Sequence, residues 1–199
     1  MRAFKRKIGL KDYYDAMVLA YRAVLRRKRI DREFAQRLML AVTEVNGCEA
    51  CSYAHTLMAL RKGFSRDEIE GFLSASAAYL LPEEAQGILF AQHYADSGGR
   101  PEREAYQALV REYGTEKSKD IVATVQLMQA ANMIGLPFSA LVSRLRGRPY
   151  PNSSLPYELG MHFSSLVVLP VSFLHGLLRG IGGKANLRFA VQRAKPFPS

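Results

Sequence analysis

Cysteine is scarce in this chain: its 199 residues include two, Cys48 and Cys51. Two cysteines are too few to staple a disulfide scaffold, so the fold must rest on a packed core. Sustained apolar/polar alternation bounded by hairpin turns is missing as well, which argues against strands. No apolar run of signal-peptide length follows the basic start Met1–Lys7, so the expected compartment is cytosolic. The chain shows no internal repeat and no low-complexity tract. It also has no interleaved aromatic and basic motif of a nucleic-acid module, so nucleic acid is not the expected partner even at a formal charge of +10.

What is present reads as helix. Apolar residues make up 48% and charged residues 23%, close to a globular average. Tyr14, Met17, Val18, Tyr21, Val24 and Leu25 recur at helical spacing, as do Phe34, Leu38, Ala41, Val42 and Val45. Gly63 closes a helix, Ser65-Arg66-Asp67-Glu68 reads as a capping box, and Phe64 and Ile69 are placed for its hydrophobic staple. Pro82 opens a helix that ends at Asp96 before Ser97-Gly98-Gly99, and Pro101 starts the next, which Tyr113-Gly114 stops. A long apolar helix from about Glu116 to Leu145 follows, with a kink expected at Pro137.

The stretch Gly147 to Pro156 is rich in Pro, Gly, Ser and Asn and reads as a linker. The expected division is therefore a helical domain over residues 1–148 and a linker with an apolar and basic segment over 149–199. Leu159 to Leu178 contains no Asp, Glu, Lys or Arg in twenty residues, enough to reach across a hydrocarbon core. Gly160, Pro170, two histidines and several serines lower its tendency to insert. Basic clusters lie at Lys5–Lys7, Arg26–Arg29, Arg144–Arg148 and Arg179–Lys195. Residues 155–199 thus suit either burial between subunits or attachment to an anionic membrane surface, with the bland alternative of a solvated basic surface.

The chemistry concentrates in Thr43-Glu44-Val45-Asn46-Gly47-Cys48-Glu49-Ala50-Cys51-Ser52-Tyr53-Ala54-His55. Asn46-Gly47 breaks one helix, which places Cys48 in the first turn of the next. At helical pitch Cys48, Cys51 and His55 share an arc of about 60°, and the two Cys Cα atoms fall roughly 5 Å apart, within disulfide range. First-turn amides and the helix dipole favour thiolate over thiol. His55 lies one turn beyond Cys51, where an imidazole can exchange a proton with it. The pair suits a dithiol/disulfide cycle in which one thiolate attacks a peroxide oxygen or a partner disulfide and the other resolves the product. Two other readings stay open. Cys48, Cys51 and His55 could bind zinc with His93 or Glu44 as a fourth ligand. The two cysteines could also be small inert core residues.

The segment from about Asp31 to Leu73 resembles the carboxymuconolactone decarboxylase superfamily in its AhpD-like alkylhydroperoxidase branch. The matching pieces are Leu40–Gly47, the CxxCxxxH element Cys48–His55, and Ala59–Ser65, with a weaker likeness through Phe90–Ala95 toward Arg148. The resemblance implies an all-α helical bundle that assembles as trimers or hexamers. It implies Cys51 as the attacking thiol, Cys48 as the resolving thiol and His55 in a proton relay, with no cofactor and no metal. The substrate would be a hydroperoxide or a small disulfide, reduced in turn by a thiol reductant or dithiol carrier. The chain departs from the family where its relay carboxylate stands, which here is Gln36, and just before the second Cys, which here is Ala50. Glu44 is the candidate substitute carboxylate, against a capping or solvated role, and His93 is a weaker candidate, against a structural one. The decarboxylation that names the superfamily does not need paired thiols and is the alternative enzyme class.

Overall fold

The computed structural model describes residues 4–25, 30–61, 63–65, 67, 69, 81–182 and 186–190, apart from the side chains of Arg22 and Leu25. The Arg26–Arg29 cluster, the Arg66 and Glu68 positions of the capping box, and the end of the basic tail lie outside the described residues. Among the described residues there are six α-helices, one 3-10 turn and no strand, an all-α bundle as the sequence pattern predicts. The helices are α1 (Leu10–Leu25), α2 (Arg32–Asn46), α3 (Glu49–Arg61), α4 (Ala85–Asp96), α5 (Arg103–Leu145) and α6 (Leu155–Ile181), with the 3-10 turn at Pro82–Glu84 leading into α4.

Local chemistry sets most of these boundaries. Asp31 caps α2 by accepting the Phe34 N–H at 2.7 Å. Gly47 ends α2 in the left-handed region (φ 68°), its N–H donating to the Thr43 and Glu44 carbonyls. Gly63 ends α3 similarly (φ 92°), and the next N–H, that of Phe64, reaches the Ala59 carbonyl. Phe64 then packs with Ala59 and Ile69, the contact expected of a staple.

The expected break at Tyr113-Gly114 is a bend inside α5, because Gly114 adopts φ 70°, ψ 168°. Ser118 Oγ lies 3.0 Å from the Leu109 carbonyl oxygen and 2.7 Å from that of Gly114, so its one proton is shared between the two sides of the bend. Pro137 is buried within α5, and the helix continues past it to Leu145.

Helix α5 is the central element, contacting α1, α2, α3, α4 and α6. One core runs through Tyr13 of α1, Phe34 and Leu38 of α2, Phe90 and Tyr94 of α4, and Ile121, Val125 and Met128 of α5. Arg37 of α2 and Glu84 before α4 form a buried bidentate ion pair, both contacts at 2.5 Å, which fastens these elements together.

The stretch from Gly147 to Pro156 is fastened rather than loose. The Asn152 amide exchanges two hydrogen bonds with the Phe4 backbone, and Phe4 packs edge-on against Tyr150. Helix α6 lies against α1 and α5 and contributes Met161 and Val168 to the shared core, so residues 149–182 do not pack as a separate body. Its approach to α1 is close: a Cβ at Gly176 would sit 2.9 Å from Tyr21. After α6, residues 186–190 return to the bundle, where Asn186 bonds the Leu19 carbonyl and Phe189 stacks on Tyr106.

Candidate active site

The site is built at the start of α3. The left-handed turn at Gly47 leaves Cys48 just before the helix, not within its first turn as the spacing suggests. Cys48 acts as the N-cap: its carbonyl accepts the Ser52 N–H at 2.8 Å, and its sulfur accepts the Cys51 N–H at 3.3 Å. Cys48 and Cys51 are disulfide-bonded, with Cα atoms 5.3 Å apart. Both sulfurs sit where helix amides point outward, an environment that stabilises a thiolate once the pair is reduced.

Helix α5 supplies the facing wall. A Cβ at Gly135 would fall on Cys51 Sγ and within 2.6 Å of Cys48 Sγ, so this glycine makes the space that the sulfur pair occupies. One turn on, Ser139 Oγ accepts the Ala50 N–H at 3.0 Å while donating to the Gly135 carbonyl. Neither residue emerged from the sequence reading. The available signal was a glycine inside a long apolar helix, a costly residue there unless something must approach closely.

Cys48 is fully buried and Cys51 is 9% exposed. The pair is thus more enclosed than a shared helix flank implies, and Cys51 is the residue of the two that keeps some exposure. The outer side of α3 is open and apolar, with Tyr53, Leu57 and Met58 exposed.

His55 lies one turn beyond Cys51 and is held by Gln36, a fully buried residue of α2. The Gln36 amide nitrogen is 3.0 Å from His55 Nδ1 and 3.0 Å from the His55 carbonyl oxygen. A carbonyl accepts only a donor, so the atom facing it must be the amide NH2. The same group therefore donates to Nδ1, and His55 carries its proton on Nε2. A carboxylate in that place would favour the opposite arrangement.

The remaining candidates are engaged elsewhere. Lys5 Nζ lies 3.7 Å from Glu44 Oε1 and donates to the Glu44 carbonyl, so this residue is turned toward the N-terminal segment. His93 Nε2 accepts the Glu102 N–H at 3.0 Å and so ties α4 to the start of α5. Among the described residues no group of three His, Cys, Asp or Glu is placed to hold a metal ion, so the zinc reading finds no ligand set there.

Residues 11–93 match the model of the carboxymuconolactone decarboxylase family. The resemblance to that family is shown over this segment. It contains Gln36, Glu44, both cysteines, His55 and His93, and the Cys48–Cys51 pair fits the CxxC element of the AhpD-like branch. Gly135 and Ser139, which face the start of α3 from α5, lie outside it. Neither a curated protein nor a solved structure matches the chain.

Proposed function

We propose that this protein is a thiol-dependent oxidoreductase of the alkylhydroperoxidase or disulfide-reductase type. The observation that supports it is the pairing of Cys48 with Cys51 at an α-helix N-terminus, in a space kept clear by Gly135. In the reduced state Cys51, the more exposed of the two residues, attacks the distal oxygen of a hydroperoxide as thiolate. The O–O bond breaks, the alkoxide takes a proton and leaves as alcohol, and Cys51 becomes a sulfenic acid. Cys48 then attacks the Cys51 sulfur, water departs and the disulfide forms. A thiol reductant or dithiol carrier returns two electrons and two protons to restore both thiols. His55, one turn from Cys51, serves the proton transfers through Nε2.

The decarboxylation reading rests on the family's description alone, with no feature of this site to favour it. The test is peroxide consumption in the presence of a dithiol, with mass spectrometry of the thiols after one equivalent of peroxide. The parent protein is expected to form the Cys48–Cys51 disulfide, Cys48→Ser to stall with Cys51 oxidised, and Cys51→Ser to lose turnover by about a hundredfold or more. Full turnover in Cys51→Ser would sink the assignment.

A further inference from the structure

Helix α6 presents two unlike faces. Toward α1 and α5 it buries Glu158, Met161, Val168, Ser172 and Gly176. Its opposite face carries Leu159, Phe163, Leu166, Leu174, Leu178 and Ile181, at steps of three, four and eight residues that keep them on one stripe. These side chains stand in solvent: Phe163 is 67% exposed, Leu166 75% and Ile181 78%. Phe138 of α5, also exposed, packs beside His162 and widens the stripe at one end. A stripe this long and apolar marks a binding surface.

Along the segment that carries the stripe, the charges are almost all positive. Between Val142 and Gly182 the chain has a single acidic residue, Glu158, and it has none from there to its end. Glu158 is fully buried and neutralised by Arg144, at 2.7 Å and 2.8 Å. Where the chain enters α6, Arg146 and Arg148 are exposed and Lys7 lies over the Tyr157 ring; Arg179 stands at the far end. Two copies joined face to face through α6 would bring these basic residues together, and the one acid of α6 is already held by Arg144. An anionic bilayer surface offers both the apolar layer and the negative charge.

We propose that the outward face of α6 lies in the plane of an anionic membrane surface and attaches the protein to it. The helix does not need to cross. Tyr13 bonds Ser165 at 2.9 Å, Tyr14 bonds His175 at 2.7 Å, and Arg144 holds Glu158, all of which a crossing would break. This attachment is independent of the thiol chemistry.

The test is flotation of the full chain with vesicles of phosphatidylcholine alone and of phosphatidylcholine mixed with phosphatidylglycerol, alongside the solution mass. The parent is expected to float with the mixed vesicles only. Phe163→Glu/Leu166→Glu is expected to lower that partition roughly a hundredfold with no change in solution mass. Arg146→Glu/Arg148→Glu is expected to lower it by roughly tenfold or more and to weaken its salt dependence. Equal flotation of the parent with neutral vesicles would overturn the anionic assignment. A parent oligomer that Phe163→Glu/Leu166→Glu splits into monomers, without vesicle binding by the parent, would assign the face to a second copy instead.

Discussion

Helices α5 and α6, of 43 and 27 residues, each hold an apolar window long enough to cross a membrane by length and composition alone. Within the fold they differ sharply: the most apolar eighteen-residue window of α5 is 72% buried and that of α6 is 22% buried. Helix α5 is surrounded by five other helices and spends its apolar surface inward, while among the described residues α6 has α1 and α5 as its helical neighbours. Hydropathy therefore reports how much apolar surface a helix offers and not what receives it. The contrast is clearest in the glycines. Gly135 of α5 faces the two sulfurs, whereas a Cβ at Gly160 of α6 would meet nothing within 4 Å.

The strongest way to break that contrast is Gly135→Ala. The added methyl overlaps Cys51 and Cys48 in a packed interior, so either α3 shifts or the pair cannot close. A loss of about 1–3 kcal/mol in stability is expected from the overpacking. A fall of about a hundredfold in peroxide turnover is expected from displacing the reacting sulfurs by an ångström. Unfolding curves and turnover on the same preparation check both, and near-parental turnover would show that the sulfur space is not set by α5.

Much of the bundle is legible in the sequence because its boundaries are local. Gly47, Gly63, Pro82 and Gly114 each act through their own backbone, and each stands at an element boundary or bend. The CxxC spacing likewise contains its own geometry. Contacts between elements distant in sequence are not written that way. Gly135 and Ser139 meet the site from more than eighty residues away, and nothing in their neighbours says so.

The placement of Glu44 follows from the break before α3. Four-residue proximity holds only while a helix continues, and the left-handed Gly47 intervenes between Glu44 and Cys48. Gln36 and His55 are nineteen positions apart and meet because α2 packs against α3.

A smaller effect is expected at that meeting point. Gln36→Glu replaces a donor to His55 Nδ1 with an acceptor, which favours the imidazolium form. The limb of the pH–rate profile governed by His55 should move upward, with turnover at neutral pH changed by roughly tenfold or less. Gln36→Leu, which removes the bond without adding charge, should lower turnover and move the limb less than Gln36→Glu does. Superimposable profiles for parent and both variants would remove His55 from the proton path.

The only acid of α6 offers a test of how its inner face is held. Arg144 holds the Glu158 carboxyl below its ordinary value against the opposing effect of burial, with Ser153 adding a hydrogen bond. A carboxyl with a lowered value in the fold contributes stability that is complete above its unfolded value. That contribution drains away as pH falls through the folded value. Glu158→Gln should therefore melt roughly 3–5 °C below the parent at neutral pH, the gap narrowing as pH falls below the ordinary glutamate range. A gap that persists unchanged into acid would mean that the pair's charge contributes nothing to docking α6.

Gly160→Ala carries the smallest expected effect and separates the two helices most cleanly. Glycine inside a helix costs about 0.5–1 kcal/mol relative to alanine, and here the new methyl meets only solvent within the isolated chain. The melting temperature should rise by a few degrees with peroxide turnover untouched, the reverse of what Gly135→Ala does. Vesicle binding should hold or strengthen slightly, because a methyl enters an apolar layer that has no fixed shape to clash with. A protein partner seated closely on this face would behave otherwise, since a packed interface resists an added methyl as a core does. A drop in stability in Gly160→Ala would thus place a tightly fitted surface, and not lipid, against α6.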